Sequence, residues 1–436
     1  KSIFFHIFYK IILYFSFCVG GFTVKVYKAL LCLFITIFLY VLPVFADDED
    51  FENFSDISSV INTSSEITTE PTINSRSAIV YDRLSGTILY GKNENEKRKM
   101  ASTTKIMTAI VVIEKSNLDD IVLVSSKAAS TGGSRLGLHT NDKISVLNLL
   151  YGLLLCSGND AAVALAEYVG GSVDGFADLM NTKASELNLT STHFVTPHGL
   201  DNEDHYTTAY ELALITNYAL KNEVFRNLVG TKNYTISING YSKNLSNTNE
   251  LLGNLDGVYG VKTGFTNGAN RCLVTSIKRG NMDLICIVLG ADTKKDRTKD
   301  SNELIKYAFK NFEMVNINEK ILNEFSNWKI CNSSSFAIKK ALSNNVDAVL
   351  ENLPYNFLPV NCNHINDVSI YIYCNTTFKS PLPANSTIGY LTVSINNKNV
   401  LTLNIYNANP ILKKNCFDFY NTMVKNYTYH LEALFY

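Results

Sequence analysis

The 436-residue sequence predicts an α/β fold of the α+β kind: an antiparallel sheet with a helical lobe, then a small all-β domain and a terminal amphipathic helix. Three observations lead to this prediction. Strand patterns flank a long helical segment within residues 76–315, alternating patterns dominate 316–412, and helical spacing returns over 413–436. Strands on either side of a helical segment usually join one antiparallel sheet.

An export signal is predicted at the start of the chain. Lys25 and Lys28 precede an apolar run that ends in a Val-x-Ala sequence, which is typical of a signal peptide cleaved after Ala46. Residues 1–46 are therefore predicted to be a leader, and residues 1–24 within it are either a transmembrane helix or an over-extended gene start. We expect an exported protein of the cell envelope, at the outer face of the cytoplasmic membrane.

A polar segment, residues 47–75, follows the leader and lacks periodicity, as mobile linkers do. The domain at 76–315 then begins with a hairpin, continues with helices over 101–220 and ends with strands and one helix. Its predicted elements are strands at Ser77–Asp82, Thr87–Tyr90 and Ile121–Val124, helices from Ala101 and at Val146–Leu155, Ala161–Val169, 174–188 and Thr207–Ala219, strands at Tyr234–Ile238, Val258–Gly264, Cys272–Ile277 and Leu284–Leu289, and a helix over 300–312.

The last third of the chain has a different character. Alternating patterns predict strands at Ser369–Tyr373, Gly389–Ile395 and Val400–Ile405. Over 413–436, apolar residues such as Phe417 recur at helical spacing near lysines, so an amphipathic helix is predicted. This helix could lie on a membrane surface or pack on its own domain, and the sequence does not distinguish the two.

Composition excludes several classes of function. The formal net charge is −1 and no basic block or finger occurs, so no nucleic-acid partner is expected. None of the nine cysteines forms a CxxC pair, and no Cys/His cluster has zinc spacing, so no metal or other cofactor is expected. Seven cysteines follow the leader, an odd number that argues against a complete disulfide framework, although a Cys362–Cys374 bridge is one alternative.

Three short motifs carry the chemistry. Ser102 precedes Lys105 by one helical turn, which places a hydroxyl nucleophile beside an amine that could act as its base. Ser157-Gly158-Asn159 follows in a loop between two buried helices, and Lys262-Thr263-Gly264 lies in a strand. Each motif is weak alone, because a serine three residues before a lysine is common. Their order behind an export signal is a strong combination.

With these motifs, the sequence resembles the low-molecular-mass penicillin-binding proteins that act as serine D-Ala-D-Ala carboxypeptidases, peptidase family S11. The resemblance covers roughly residues 75–312. Besides the three motifs it includes Asp160-Ala161-Ala162, Thr192-His193-Phe194, Pro197-His198-Gly199-Leu200-Asp201 and His205-Tyr206-Thr207-Thr208-Ala209. It implies a β-lactamase/transpeptidase-like domain, a peptidoglycan stem peptide ending in D-Ala-D-Ala as substrate, and β-lactam antibiotics as covalent inhibitors.

The resemblance also implies a role for each motif residue. Ser102 would form the acyl-enzyme, Lys105 would accept its proton, and Ser157 would protonate the departing D-Ala. Asn159 would position Lys105 and the substrate amide. Lys262 and Thr263 would bind the terminal carboxylate, and Gly264 would allow close approach of the strand. The backbone N–H groups of Ser102 and Phe265 would form the oxyanion hole.

The sequence departs from that of related enzymes at two positions. Phe265 stands where related enzymes often carry His or Tyr, and Met100 stands where Pro is common.

A class A β-lactamase is one rival function. It needs a deacylating Glu, and Glu186-Leu187-Asn188 has the wrong spacing for it. A D,D-endopeptidase would use the same motif residues. An inactive wall-binding protein would have lost at least one of these motif residues, and all of them are present. A Ser-His-Asp triad drawn from His193, His198, His205 and Asp201 would leave both motif lysines without a role.

Overall fold

The computed structural model describes residues 54–59, 70–332, 336–343 and 345–432. The predicted leader, residues 1–46, lies outside these ranges. Among the helices within them, none is both long enough and apolar enough to cross a bilayer.

The first half of the chain supplies two strands of the main sheet and then a lobe of helices. Its elements in order are β1 (Phe54–Ser59), β2 (Ser77–Asp82), β3 (Ile88–Lys92), α1 (Lys105–Lys115), β4 (Ile121–Leu123), α2 (Ser126–Ser130), β5 (Lys143–Ser145), α3 (Val146–Leu154), α4 (Asn159–Gly170), α5 (Val173–Glu186), α6 (Ala209–Ala219) and α7 (Glu223–Gly230). Serine, threonine or asparagine side chains cap α3, α5, α6 and α7 at their N-termini.

The chain then returns to the sheet with long strands. The elements are β6 (Asn233–Ile238), β7 (Tyr241–Ser246), β8 (Val258–Thr266), β9 (Asn270–Arg279), β10 (Met282–Ala291) and α8 (Lys294–Asn311). The main sheet has the strand order β3-β2-β10-β9-β8, and its neighbouring strands are antiparallel. Thus the early and late strands form one sheet, as predicted, and β8 lies at its edge.

The sheet is covered on both faces. Ile79, Ile285 and Ile287 pack with α1 residues such as Ile110 in the core shared with the helical lobe. Residues of the opposite face, including Leu284, pack against α8. Every residue of β10 is buried, so the continuous apolar pattern of this strand follows from its central position.

The C-terminal region is rich in sheet, as predicted. Its elements are β11 (Phe312–Asn316), α9 (Ile317–Asn332), β12 (Ala337–Lys339), β13 (Ala348–Leu350), β14 (Phe357–Asn361), β15 (Val368–Asn375), β16 (Thr377–Lys379), β17 (Ser386–Ile395), β18 (Lys398–Asn407) and α10 (Cys416–Glu432). Helix α9 was not predicted, although its core residues lie at helical spacing: Ile317, Ile321, Phe325 and Trp328. Cys362 and Cys374 are both free thiols.

The predicted linker, residues 47–75, needs correction at two places. Strand β1 pairs with β15 in antiparallel register, from Phe54 with Asn375 to Ser59 with Ile370. Ser75 is fully buried because its backbone N–H and its hydroxyl both donate to Asp300, each at 2.6 Å. Strand β1 and Ser75 are therefore part of the fold. Amino-acid composition alone could not show this.

Candidate active site

Ser102 lies in a tight 3₁₀ turn, Ala101–Thr104, and not in the first turn of a regular α-helix as predicted. The threonine hydroxyls account for the difference, because Thr103 donates to Met100 O at 2.6 Å and Thr104 donates to Ala101 O at 2.8 Å. Ala101 adopts a left-handed conformation, φ 49°, which is strained for a residue with a side chain. The turn ends at Lys105, where α1 begins.

Lys105 is completely buried and has three polar neighbours. Its Nζ lies 2.8 Å from Ser102 Oγ, 2.7 Å from Asn159 Oδ1 and 2.8 Å from the backbone oxygen of His198. Within the described residues, no carboxylate forms a salt bridge with this amine. The structure therefore places Ser102 and Asn159 together around the Nζ of Lys105.

The neighbours of Lys105 fit an uncharged amine. Such an amine has two N–H bonds and one lone pair, and the oxygens of Asn159 and His198 can only accept hydrogen bonds. Asn159 is oriented by its Nδ2, which donates to Gly132 O at 2.8 Å. The lone pair is then left for the Ser102 hydroxyl, which is the geometry that a base for this nucleophile requires.

The electrostatics favour the uncharged state of Lys105. Burial lowers its pKa well below the usual value, and the positive charge of Lys262 lowers it further. Lys262 is also buried, and burial is the main cause that lowers its pKa to about 7, with the nearby Arg297 adding to the effect. Burial and the Lys262 charge thus both favour the uncharged form of Lys105.

The second motif forms the wall of the site next to α4. Ser157 is buried in a left-handed conformation, φ 61°, and within the described residues its hydroxyl has no hydrogen bond to Lys105 or Lys262. Asp160, which sequence reasoning did not select, organises the facing loop. Its carboxylate accepts the backbone N–H groups of Leu136, Gly137 and Leu138 at 2.7–3.0 Å.

The third motif lies in the edge strand β8, directly beside the Ser102 turn. Lys262 Nζ donates to Thr263 O at 3.0 Å, and the Thr263 hydroxyl lies 2.7 Å from that of Thr248. A Cβ on Gly264 would stand 3.1 Å from Ser102 N and 3.2 Å from Ala101 Cβ, so only glycine lets the strand approach so closely. The Ser102 N–H precedes the first hydrogen bond of its turn, from Thr103 N to Met100 O. It has no acceptor in the part of the chain that the structure describes and is therefore available to a ligand.

Arg297, at the start of α8, is a site candidate that sequence reasoning missed. Its side chain is buried, its Nη2 lies 3.5 Å from Glu250 Oε2, and among the described residues its Nε has no hydrogen-bond partner. It is close enough to Lys262 to lower the pKa of that lysine. In sequence it stands among lysines and aspartates, a pattern that is usual for a solvated helix face.

The histidines hold the loop that supports Lys105. Burial lowers the pKa of His198 to about 3 and that of His205 to about 4, so both rings are neutral. His205 Nδ1 accepts the Val195 N–H at 3.0 Å, and its Nε2 lies 2.8 Å from the Thr104 hydroxyl. Asp201 accepts from the Thr266 hydroxyl at 2.6 Å, so these residues join loop, turn and strand and do not form a triad with Ser102.

Within the ranges that the structure describes, no cluster of three or more His, Cys, Asp or Glu side chains could hold a metal ion. The polar groups around Ser102 are instead amines, an amide and backbone oxygens. A serine beside a buried lysine, facing an edge strand with Lys-Thr-Gly, is the arrangement of the serine acyl-transfer enzymes that react with β-lactams. Fold and site together place the protein in this class.

The comparison with known proteins narrows the class to a family. Residues 64–293 match the family described as D-alanyl-D-alanine carboxypeptidase, Peptidase S11. The chain belongs to this family. It is 40% identical over 252 residues to D-alanyl-D-alanine carboxypeptidase DacF of Bacillus subtilis, an alignment that covers 56% of this chain and 65% of that protein.

Two further relatives extend the match. D-alanyl-D-alanine carboxypeptidase DacA of Escherichia coli K12 is 31% identical over 352 residues, covering 78% of this chain and 84% of the relative. The crystal structure of penicillin-binding protein 5 from Haemophilus influenzae superposes with a TM-score of 0.66 at 27% identity, over 79% of this chain and all of that one. Both matches cover a larger share of this chain than the family match over residues 64–293 does.

Proposed function

We propose that the protein is an exported serine D,D-carboxypeptidase that removes the terminal D-Ala from peptidoglycan stem peptides and is acylated by β-lactams. The observation that carries this proposal is the buried Lys105 amine, whose Nζ lies 2.8 Å from Ser102 Oγ and contacts two oxygens that can only accept hydrogen bonds. The substrate class comes from the family, whose relatives are named for this activity.

Acylation begins when Ser102 Oγ attacks the carbonyl carbon between the two D-Ala residues and its proton passes to Lys105 Nζ. The backbone N–H groups of Ser102 and Phe265 stabilise the negative oxygen that forms. The C–N bond then breaks, and the departing amine takes a proton from the Ser157 hydroxyl, which the charge of Lys262 makes more acidic. The proton that Lys105 took from Ser102 then passes to the Ser157 oxygen, so that both side chains return to their starting states. The product is an ester on Ser102 and free D-Ala.

The terminal carboxylate of the substrate would lie at the Thr263 hydroxyl, near the charges of Lys262 and Arg297. Within the described residues, no carboxylate forms a salt bridge with Lys105. The positive charges of Lys262 and Arg297 therefore favour an anion at this place in the site. Asn159 holds the substrate amide as well as the lysine. A water molecule then attacks the ester while Lys105 takes its proton. Lys105 returns this proton to Ser102 Oγ as the ester C–O bond breaks and the shortened peptide leaves.

The decisive experiment uses residues 47–436 and a pentapeptide ending in D-Ala-D-Ala. We expect release of D-Ala, abolished in Ser102→Ala, and covalent labelling by a fluorescent penicillin in the unchanged protein only. Rapid penicillin hydrolysis without D-Ala release would identify a β-lactamase instead. Absence of both labelling and D-Ala release would identify a non-enzymatic wall-binding protein.

An endopeptidase activity would use the same residues, because cleavage of a D,D cross-link has the same chemistry. A cross-linked dimer of stem peptides, incubated beside the pentapeptide, measures the balance of the two activities. We expect the pentapeptide to be the better substrate. Faster cleavage of the dimer would reassign the protein as a D,D-endopeptidase.

We also propose that α10 holds the protein on the outer face of the cytoplasmic membrane. Its exposed side chains Phe417, Tyr420, Met423, Val424 and Tyr427 recur every three or four residues and so share one face. Lys413 and Lys425 are exposed nearby and would favour an anionic surface. The chain should therefore sediment with anionic phospholipid vesicles, and a chain ending at Asn415 should not. Equal sedimentation of both would exclude this role for α10.

A further inference from the structure

Phe265 and Arg271 form a pair at the edge of the sheet, next to the nucleophile. They face each other across β8 and β9 in the antiparallel register. The Arg271 guanidinium carbon lies 3.6 Å from the centre of the Phe265 ring, and the ring is 46% exposed. Phe265 directly follows Gly264, which touches the Ser102 turn, so this pair borders the site.

The pair lies on the α8 side of the sheet. Side chains alternate along a strand, and Gly264 faces the Ser102 turn, so Phe265 points to the opposite face. Leu273, two residues after Arg271 on β9, is buried in the core that α8 covers, which places Arg271 on this face as well. Because β8 is an edge strand, a peptide lying along its edge is accessible from both faces.

The direction of the bound peptide follows from the site. Its terminal carboxylate lies at Thr263, and its reacting carbonyl lies at the Phe265 N–H, so the donor peptide runs antiparallel to β8. The residue before the acyl D-Ala then lies about 3.4 Å further on, toward Thr266. Arg271 lies on β9, one strand away from this position, and its long side chain reaches toward β8 over the Phe265 ring.

Arg271 is a cation without a protein counter-ion at this border. Within the described residues no Asp or Glu forms a salt bridge with it, whereas the neighbouring Arg297 has Glu250. Stacking occupies only the flat face of a guanidinium and leaves the N–H groups at its rim available. A carboxylate can accept two of these N–H groups at once.

We propose that Arg271, held on the Phe265 ring, is a specificity-determining residue that binds a carboxylate on the residue preceding the acyl D-Ala of the donor peptide. This proposal rests on the proposed carboxypeptidase function and names the class of peptide that the enzyme prefers: stem peptides with an acidic residue at that position.

Two acetylated peptides test it, acetyl-L-Glu-D-Ala-D-Ala and its uncharged isostere acetyl-L-Gln-D-Ala-D-Ala. For the unchanged enzyme we expect kcat/KM for D-Ala release to be about fivefold higher with the Glu peptide, as for a partly exposed ion pair, and less so at high salt. Arg271→Gln should remove the preference, and Arg271→Glu should reverse it. Labelling by penicillin verifies that each variant is folded.

Arg279→Gln is the matched control, because Arg279 lies on the same strand and also stacks on an aromatic ring, Phe309 at 4.7 Å, away from Ser102. It should keep the preference for the Glu peptide. Equal rates with both peptides in the unchanged enzyme, or a preference that survives Arg271→Gln, would overturn this proposal and leave the carboxypeptidase function standing. No D-Ala release from either peptide would overturn the proposed function, and this proposal with it.

Discussion

At the scale of single residues, the state of Lys105 determines whether the site can work. A base for Ser102 must be uncharged, and burial together with the charge of Lys262 lowers the pKa of Lys105 toward that state. Two oxygens that only accept hydrogen bonds then fix the direction of its lone pair. Substitutions of Lys105 and Lys262 test the base and its electrostatic control separately.

Lys105→Arg should abolish acylation although it keeps a long, nitrogen-bearing side chain at this position. A guanidinium stays protonated at every accessible pH, so it cannot accept the Ser102 proton. We expect the second-order rate constant for labelling by penicillin to fall by about 10³-fold, the usual size of a general-base effect. Lys115→Arg, at the exposed end of α1, is the control and should label normally. Substantial labelling of Lys105→Arg would rule out this base.

Lys262→Met should move the acid limb of the pH profile for acylation to higher pH. The Lys262 charge lowers the pKa of Lys105, so removal of this charge lets the pKa of Lys105 rise. A more alkaline solution is then needed to deprotonate Lys105.

In the unchanged enzyme, D-Ala release should decline above about pH 7 as Lys262 loses its proton. Stopped-flow labelling across pH measures both limbs, and an acid limb that stays in place in Lys262→Met would contradict the coupling.

The sequence could identify side chains at this scale but not backbone groups. Ser102, Lys105 and Asn159 stood out by spacing and meet around one nitrogen in the structure. The third partner is the carbonyl of His198, and no sequence pattern marks a carbonyl that a loop carries into a site. Arg297 could not be identified as a site residue from the sequence, because its neighbours in sequence are charged residues typical of a surface helix.

At the scale of elements, the loop at 196–205 links the base to the edge strand. Its His198 oxygen binds Lys105, and its Asp201 accepts from the Thr266 hydroxyl at 2.6 Å and the Gly268 N–H at 2.9 Å. Gly199 fits directly under the Ser102 turn with φ 81°, where a side chain would clash with Ala101 O. Loop, turn and strand therefore keep their spacing together.

Asp201→Asn should slow catalysis although Asp201 touches neither Ser102 nor Lys105. An amide retains one acceptor oxygen for two donors, so either Thr266 or Gly268 is released and the loop can shift. We expect kcat for D-Ala release to fall by about tenfold, because small misplacements of reacting groups are costly. Asp204→Asn, exposed on the same loop, is the matched control and should retain full activity. Equal rates for both variants would show that the Asp201 contact does not position the site.

The order of strands and helices was predictable, and the details that failed share a cause. Hydrophobic periodicity reports burial, so it located β8, β9 and β10 well. It does not report side-chain bonds to the backbone, which make the Ser102 segment a 3₁₀ turn, or long-range bonds, which bury Ser75 against Asp300. Both depend on partners that composition alone cannot place.

At the scale of the whole molecule, we predict that the catalytic and C-terminal domains unfold separately. The chain has one tryptophan, Trp328, which is 3% exposed and lies in the C-terminal core. Its fluorescence therefore reports on that core, while penicillin labelling reports on the Ser102 site. In urea, the two signals should change at different concentrations, which is the usual sign of more than one cooperative unit.

Prior acylation provides the control for this unfolding experiment. A ligand bound to the native catalytic domain stabilises only the unit that holds it. Penicillin should therefore shift the far-UV transition of the catalytic domain to higher urea and leave the Trp328 transition in place. If both transitions coincide and move together, the boundary near residue 316 does not separate independent domains.

The order of strands in the main sheet also has a consequence for how the chain folds. Strand β2 pairs with β10, from Ser77 with Leu289 to Asp82 with Leu284, so the sheet centre joins parts of the chain separated by the entire helical lobe. Contacts of such high contact order form slowly, because a long loop must close before they contribute. The lobe can collapse around α1 and α4 first, whereas Ser102 and β8 meet only when β8–β10 dock onto β2. Recovery of penicillin labelling after dilution from urea should therefore lag behind recovery of helical circular dichroism.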